Sequence, residues 1–374
     1  MTSAAVSVDA LWFDVPGGVG TYIRNLVPAM LAHDPSLDVT LFHARFDRPD
    51  PSEPWMRGRR VITLRSGIRT LYPTWNLAGR PRLPPPLAAA DVLHATTAVA
   101  IPPRAREQAL VVTIHDLAFL RYPGAFPPRW RVLYRLGLRA AARHASAILV
   151  PSRSTARDVI EATSISEERV HVTPLAPTTD LGTADPEPVL RRLGVRRPYA
   201  LFVGTLEPRK NLVTLVRAYR RAARSGVEHA LVLTGADGWG PDELERELAA
   251  GDGGCIVRTG FVSTGDLDAL YRGADAFVYP SLYEGFGLPV LEAMARGVPV
   301  VTSNASSLPE VARGAAIFVD PASVEELEAA ITTVTTDRDL AARLSSDARE
   351  RAAAFSWDET ARRTLGAYDA AQRS

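Results

Sequence analysis

Arg209 and Lys210 stand side by side in the stretch YALFVGTLEPRKNLVTLVRAY, residues 199–219, after an apolar run and before an amphipathic one. Two adjacent cations near a helix start suit a diphosphate. The guanidinium grips two oxygens and the ammonium acts as a point charge. Gly204 permits a sharp exit from the preceding strand. Lys210 is the one lysine among 43 basic residues. Genome composition accounts for the arginine preference as such, because helix propensity scarcely separates the two residues. A solvated basic turn explains Arg209, but it explains Lys210 poorly, since this chain writes solvated cations as arginine.

A second chemistry lies in YPSLYEGFGLPVLEAMARGVPVVTSN, where Glu284 and Glu292 enclose seven residues, Gly285 and Gly287 among them. Pro289 suits the first position of a helix. The backbone amides of Phe286, Gly287 and Leu288 then point, with the helix dipole, at an anion. Glu284 in the loop and Glu292 in the first helical turn can both face one small polyol. Acid at a helix start is also ordinary capping, yet the spacing, the glycines and the strand-end position coincide here.

The first half contributes weaker signals. Gly17, Gly18 and Gly20 lie between a strand pattern and a helix pattern in DVPGGVGTYIRNL. They are not a dinucleotide fingerprint, because its third glycine would fall at Ile23. A structural turn and a phosphate loop both fit them. His115 and Asp116 follow the apolar run of LVVTIHD, and His94 ends another run in DVLHAT. A lone histidine is commonly structural, and Asp116 serves equally as a turn cap. His33, His43, His144, His171 and His229 read as structural.

These residues need elements to hold them. Apolar runs without polar alternation imply strands buried on both faces, and their alternation with helical patterns implies parallel sheets. In the first half the runs are AAVSVDAL, DVTLFHA, DVLHAT, LVVTIHD, SAILVPS and VHVTPLA. In the second they are YALFVGT, HALVLTG, CIVRTG, DAFVYPS, PVVTSN and AAIFVD. The fold class is therefore α/β, with two doubly wound Rossmann-like domains. Expected limits are 1–178 and 179–356. PLAPTTDLGTADPEPVLRRLGVRRP reads as the linker and RSGIRTLYPTWNLAGRPRLPPPLAAAD as a Pro/Arg-rich loop. Two such domains side by side would form a cleft at the carboxyl ends of both sheets, where ligands of open α/β sheets bind.

Composition bounds the partners. A single cysteine, Cys255, excludes a disulfide framework and a multi-cysteine metal site. The start lacks a basic n-region and an unbroken apolar core, and no run of about 18 apolar residues occurs, so the expectation is a cytoplasmic protein. Up to Thr178, 21 arginines oppose 14 acids, whereas the remainder holds 22 basic residues and 28 acids. That asymmetry suits two domains with different partners. Arg131, Arg135, Arg139 and Arg143 recur every four residues in PRWRVLYRLGLRAAARH. The bland reading is a solvated face; the sharper one is peripheral contact with anionic lipid headgroups. No aromatic-and-basic nucleic-acid module occurs.

The strings GTLEPRKN, GADGWG, TGFV, YPSLYEGFGLPVLEAMARGVPVVTSNASSLPEV and FSWDETARRTL together resemble the retaining glycosyltransferases of family 4. The resemblance is dense from Tyr199 onward and looser before it. It implies the GT-B fold and a nucleotide-diphosphate-sugar donor, with no cofactor. It implies that Arg209 and Lys210 bind the donor diphosphate, Glu284 the donor sugar and Glu292 the ribose. Phe286, Gly287 and Leu288 would add backbone contacts, Phe261 and Val262 would border the nucleobase, and the terminal helix 357–374, around Trp357, would return to the first domain. The glycines at 17, 18 and 20 would let backbone approach donor phosphate and acceptor. His115 would bond the donor sugar's primary hydroxyl or the acceptor.

The activity so implied is hexosyl transfer to an acceptor hydroxyl on a glycan or lipid-linked saccharide, with the anomeric configuration retained. GDP-mannose is the expected donor, because the HDLAFLRYP and GTLEPRKNL contexts resemble bacterial mannosyltransferases; UDP-sugars stay open. Metal is not implied, since the strings DLD at 266–268 and DRD at 337–339 fall in helical patterns rather than at strand ends. A nucleotide-sugar epimerase shares the architecture but would need no acceptor. A pyridoxal-dependent phosphorylase would need Lys210 for its Schiff base. A non-catalytic sugar-nucleotide-binding subunit would bind without turnover.

Overall fold

A computed structural model describes residues 2–51, 53–178, 182–238, 242–251 and 254–373. Trp239 and Gly240 of the GADGWG string, residue 179 at the expected start of the second domain, and Ser374 of the terminal helix lie outside the described residues.

Burial on both faces orders the first sheet. Its strands are β1 (Ser3–Ser7), β2 (Asp38–His43), β3 (Val61–Thr63), β4 (Val92–Ala95), β5 (Ala109–Thr113), β6 (Ala147–Val150) and β7 (Val170–Val172). They lie parallel in the order β3-β2-β1-β4-β5-β6-β7. The inner strands β4, β5 and β6 are buried at every residue, as unalternated apolar runs require. Only β3 had no counterpart among the expected strands. It is a three-residue, half-buried edge strand whose short apolar run, VITL, is hemmed in by Arg60 and Arg65.

The second sheet realises all six expected runs. These are β8 (Tyr199–Val203), β9 (Ala230–Thr234), β10 (Ile256–Gly260), β11 (Ala276–Tyr279), β12 (Val300–Ser303) and β13 (Ile317–Val319). The order is β10-β9-β8-β11-β12-β13, again parallel. Each sheet reverses its winding beside its first strand, the switch point where open α/β sheets place ligands.

Two compact units result: Met1–Leu175 with Ser356–Ser374, and Ala176–Phe355. The first boundary falls before Thr178, whose hydroxyl donates to Glu292 and so belongs with the second unit. The terminal helix Trp357–Arg373 belongs to the first unit, packing on the helix Gly17–His33 and on β5 and β6. Ala361, Ala367 and Ala371 on its buried face allow that close approach.

Two expectations need correction. The Pro/Arg-rich stretch from Arg65 contains the helices Ile68–Ala78 and Pro85–Ala88. Leu71, Tyr72 and Trp75 make one buried face of the former, so tertiary burial overrides the prolines and arginines around them. The linker contains the helix Glu187–Arg192, which buries Leu190.

Candidate active site

Beyond β8 the chain passes close to its neighbour. A Cβ on Gly235, which has φ +146°, would lie 2.0 Å from the carbonyl oxygen of Gly204, so the exits of β8 and β9 touch backbone to backbone. The 3₁₀ turn Pro208–Lys210 follows, ending at Asn211 in the left-handed region. Asn211 tolerates that conformation. Its Nδ2 donates to the carbonyls of Pro280 and Pro321, pinning the turn against the segment after β11.

That pinning delivers both cations to one carboxylate. Lys210 Nζ lies 2.6 Å and Arg209 Nη1 3.0 Å from Glu284 Oε1. Ser281 Oγ and the Tyr279 hydroxyl donate to the same oxygen at 2.6 and 3.0 Å. The Tyr279 hydroxyl also accepts from Lys210 Nζ at 2.6 Å. Arg209 is held further by Glu207 Oε1 and the Tyr283 carbonyl, each at 2.6 Å. All three charged side chains are about nine-tenths buried.

Burial alone would raise the Glu284 pKa, but Arg209 and Lys210 outweigh it and hold the carboxyl at about 2. Burial and the Arg209 charge lower the Lys210 pKa, opposed by Glu284 and Glu207. The Tyr279 hydroxyl is pushed well up by burial and by Glu284, so it stays a proton donor.

Serines shape the following loop. Ser306 Oγ accepts from the Glu284 amide, and Ser307 Oγ bonds the carbonyls of Glu284 and Phe286. The loop ends at Gly287, the N-cap of the helix Leu288–Ala295, with φ +103°. That φ strains any side chain, and a Cβ there would also stand 2.5 Å from Leu308 Cδ2. Pro289 is the second helical residue rather than the first. The Phe286 ring is buried, edge-on to Phe355. Leu288, as the first helical residue, has an amide with no intrahelical acceptor.

Glu292 lies one turn deeper than the first turn expected for it. Its oxygens accept from Thr178 Oγ1 at 3.2 Å and from the Tyr271 hydroxyl at 3.1 Å. Burial raises its pKa against the pull of Arg296. Glu284 and Glu292 thus keep separate partners. Phe261, 62% exposed, and Val262 follow β10 in the loop that Ser263 ends by capping the next helix. Asp268 of the DLD string sits on that helix between Arg272 and Arg296, at 2.7 and 2.8 Å.

In the first unit, Gly17, Gly18 and Gly20 form the first turn of the helix Gly17–His33 rather than a loop before it. Gly17 has φ +57°, and a Cβ on Gly20 would meet Pro16 at 2.3 Å. Tyr22 of this helix packs edge-on against His115, with centroids 4.9 Å apart. His115 Nε2 donates to the Thr96 carbonyl, and burial lowers its pKa, so the ring is neutral near pH 7 with Nδ1 as an acceptor. Asp116 Oδ1 accepts from the Ala118 amide, the turn-capping role open to it from the sequence. His94 is fully buried between the Tyr368 hydroxyl and Thr113 Oγ1, which makes it a core residue.

Comparison with known proteins decides what this arrangement belongs to. Residues 191–351 match the family described as glycosyl transferases group 1, and residues 16–181 match Glycosyltransferase Family 4. The O-antigen chain mannosyltransferase B of Escherichia coli is 36% identical over 270 residues, covering 70% of this chain and 71% of that protein. The chain belongs to glycosyltransferase family 4.

This glycosyltransferase is also 34% identical over 266 residues to the serotype-specific mannosyltransferase WbdA of Escherichia coli, where the match covers 67% of this chain but only 32% of WbdA. Among solved structures, a sucrose-phosphate synthase from Thermosynechococcus elongatus superposes with a TM-score of 0.75 at 22% identity, covering 99% of this chain and 98% of that one. WaaG, a glycosyltransferase involved in lipopolysaccharide biosynthesis, gives 0.68 at 15%, covering 97% and 98%. These likenesses establish the GT-B fold, and the relatives establish glycosyl transfer rather than epimerisation or mere binding.

Several residues of the cluster carry no signal in the sequence. Tyr279 ends β11 as one more apolar-run residue, and Ser281, Ser306 and Ser307 look like turn formers. Asn211 alone was open to detection, as an asparagine between a turn and a helix pattern. Their roles depend on the crossing of two strand ends distant in the chain.

Proposed function

We propose that this glycosyltransferase moves a mannosyl group from GDP-mannose to a hydroxyl of a glycan or lipid-linked saccharide, retaining the anomeric configuration. The relatives named mannosyltransferases, at 34–36% identity, support the sugar. The observation that carries the donor site is the convergence of Arg209 and Lys210 on Glu284 Oε1 at the carboxyl ends of β8 and β11. Arg209 and Lys210 meet the buried carboxylates of Glu284 and Glu207 there, which orient the guanidinium and the ammonium for the oxygens of a diphosphate. Glu284 Oε2 takes a hydroxyl of the donor sugar, and Glu292 the ribose. The amides of Gly287 and Leu288 add the helix dipole, Phe286 contributes through its backbone, and Phe261 and Val262 border the base.

The reaction breaks the bond from the anomeric carbon to the diphosphate oxygen and forms one from that carbon to the acceptor oxygen on the same face. The acceptor proton passes to the departing diphosphate. Arg209 and Lys210 stabilise the charge growing on that leaving group, in a site already organised before reaction. His115 Nδ1 accepts from the sugar's primary hydroxyl or from the acceptor, with the helix begun by Gly17, Gly18 and Gly20 beside it. No metal and no cofactor enter the scheme.

Contact with an anionic membrane through Arg131, Arg135, Arg139 and Arg143 is part of the proposal. Arg135, Arg139 and Arg143 are exposed, and among the described residues none of the four pairs with a carboxylate. Among the described residues no helix is long and apolar enough to cross a membrane. Mass spectrometry of products from a donor panel tests the donor. Turnover of GDP-mannose above other donors supports it, and preference for a UDP-sugar overturns it.

A further inference from the structure

Arginines throughout this chain hold carboxylates: Arg24 with Glu53, Arg121 with Asp158, Arg217 with Glu247, Arg258 with Glu245. Arg139 and Arg143 line a cavity of about 590 Å³ between the helices Ile68–Ala78 and Pro128–His144 instead. Arg104 and His144 complete its polar wall, and among the described residues no acidic side chain lines it. Trp75, Leu77 and Leu136 supply apolar walls, Leu77 being 69% exposed at the rim. On the other flank of the helix a second cavity of about 610 Å³ again includes Arg139 and Arg143 and adds Arg135.

The wall is built rather than incidental. Asn76 donates to the Val99 carbonyl and accepts from the Ile101 amide, fixing the loop that closes one side. Gln108 is buried; its amide group donates to the Leu87 and Ala90 carbonyls and its Oε1 accepts from the Ala105 amide. The Gln108 carbonyl in turn accepts from Arg104 Nη1 at 3.0 Å, which orients that guanidinium. Leu110, near the start of β5, lies in the lining, whereas His115 follows the other end of that strand. The cavity is therefore separate from the His115 region.

We propose that this cavity binds a phosphate or diphosphate ester, with Arg104, Arg139 and Arg143 holding the phosphoryl oxygens and Trp75, Leu77 and Leu136 bordering an apolar remainder. Guanidinium forks match phosphoryl oxygens in pairs. Three unopposed cations call for a multiply charged anion, and the volume is that of a small-molecule site. The phosphate comes either from a soluble ester or from a lipid headgroup. The inference stands apart from the donor reading, which uses none of these residues.

His144 reports on the site. Burial lowers its pKa, and the charges of Arg143 and Arg104 lower it further. An anion seated among those guanidinium groups opposes that repulsion. The test is histidine-ring NMR of the full chain, with His144 assigned by His144→Gln. Sodium pyrophosphate, phosphatidylglycerol vesicles and neutral phosphatidylcholine vesicles are compared with chloride at equal ionic strength. A rise of about one pKa unit at His144 with pyrophosphate is expected for a soluble ester, and with phosphatidylglycerol alone for a headgroup. The rise should vanish in Arg104→Gln and in Arg143→Gln, both exposed positions. It should persist in Lys210→Ala, which removes the donor diphosphate contact. No rise with either anion, an equal rise with chloride, or a rise surviving both arginine changes overturns the proposal.

Discussion

Lys210 Nζ lies 2.6 Å from Glu284 Oε1, and both side chains are about nine-tenths buried. The chain's one lysine is thus not a solvated cation. It donates to a carboxylate and to the Tyr279 hydroxyl, leaving one N–H for a ligand. Lys210→Ala should lower the chemical rate by about a hundredfold or more, the scale of one preorganised charge contact. Lys210→Arg should restore it only in part, because a planar fork does not fit a site built for a point charge. Single-turnover kinetics check this; full activity in Lys210→Arg contradicts it.

Stability should depend on pH through the same carboxylate. The Glu284 pKa falls from 4.5 to about 2 on folding. A depressed carboxyl contributes stability above its unfolded pKa and loses it as pH falls through the folded value. The window therefore runs from about pH 5 down to about pH 2, worth on the order of 3 kcal/mol. Denaturant unfolding across that window should show the loss in the wild type. Glu284→Gln should flatten it while lowering stability at pH 7, and an unchanged slope in that variant would sink the account.

Transfer should continue in excess chelator. The aspartates of the DLD and DRD strings lie on or cap helices, and Asp268 is already held by two arginines. Loss of activity with chelator, regained on adding magnesium or manganese, would require a different mechanism.

Sedimentation with vesicles tests the arginine face. Binding to anionic vesicles at low salt, none to neutral ones, and release as salt rises are expected. Changing Arg131, Arg135, Arg139 and Arg143 to glutamine should abolish it and leave donor hydrolysis intact. Equal binding to both vesicle types would favour a soluble acceptor.

Tyr368→Phe should destabilise the protein by about 1–3 kcal/mol, because it leaves His94 Nδ1 buried without its partner. Denaturant unfolding reads the loss. Donor hydrolysis, assayed under folding conditions, should hardly change, and a large fall would give His94 a role beyond the core.

The sequence by itself determined twelve of the thirteen described strands, the two parallel sheets and the adjacency of Arg209 and Lys210 after a strand. Burial on both faces writes a strand as an unbroken apolar run, and a motif such as EPRKN is continuous in the chain. Only tertiary structure decided that Tyr279 and Ser281 share a carboxylate oxygen with Arg209 and Lys210, since these residues meet where β8 and β11 end side by side. It also decided that Ile68–Ala78 is a helix, because burial of Leu71, Tyr72 and Trp75 outweighs a local composition that reads as loop. His94 became a core residue for the same reason: its partners, Tyr368 and Thr113, come from a helix and a strand that only folding brings to it.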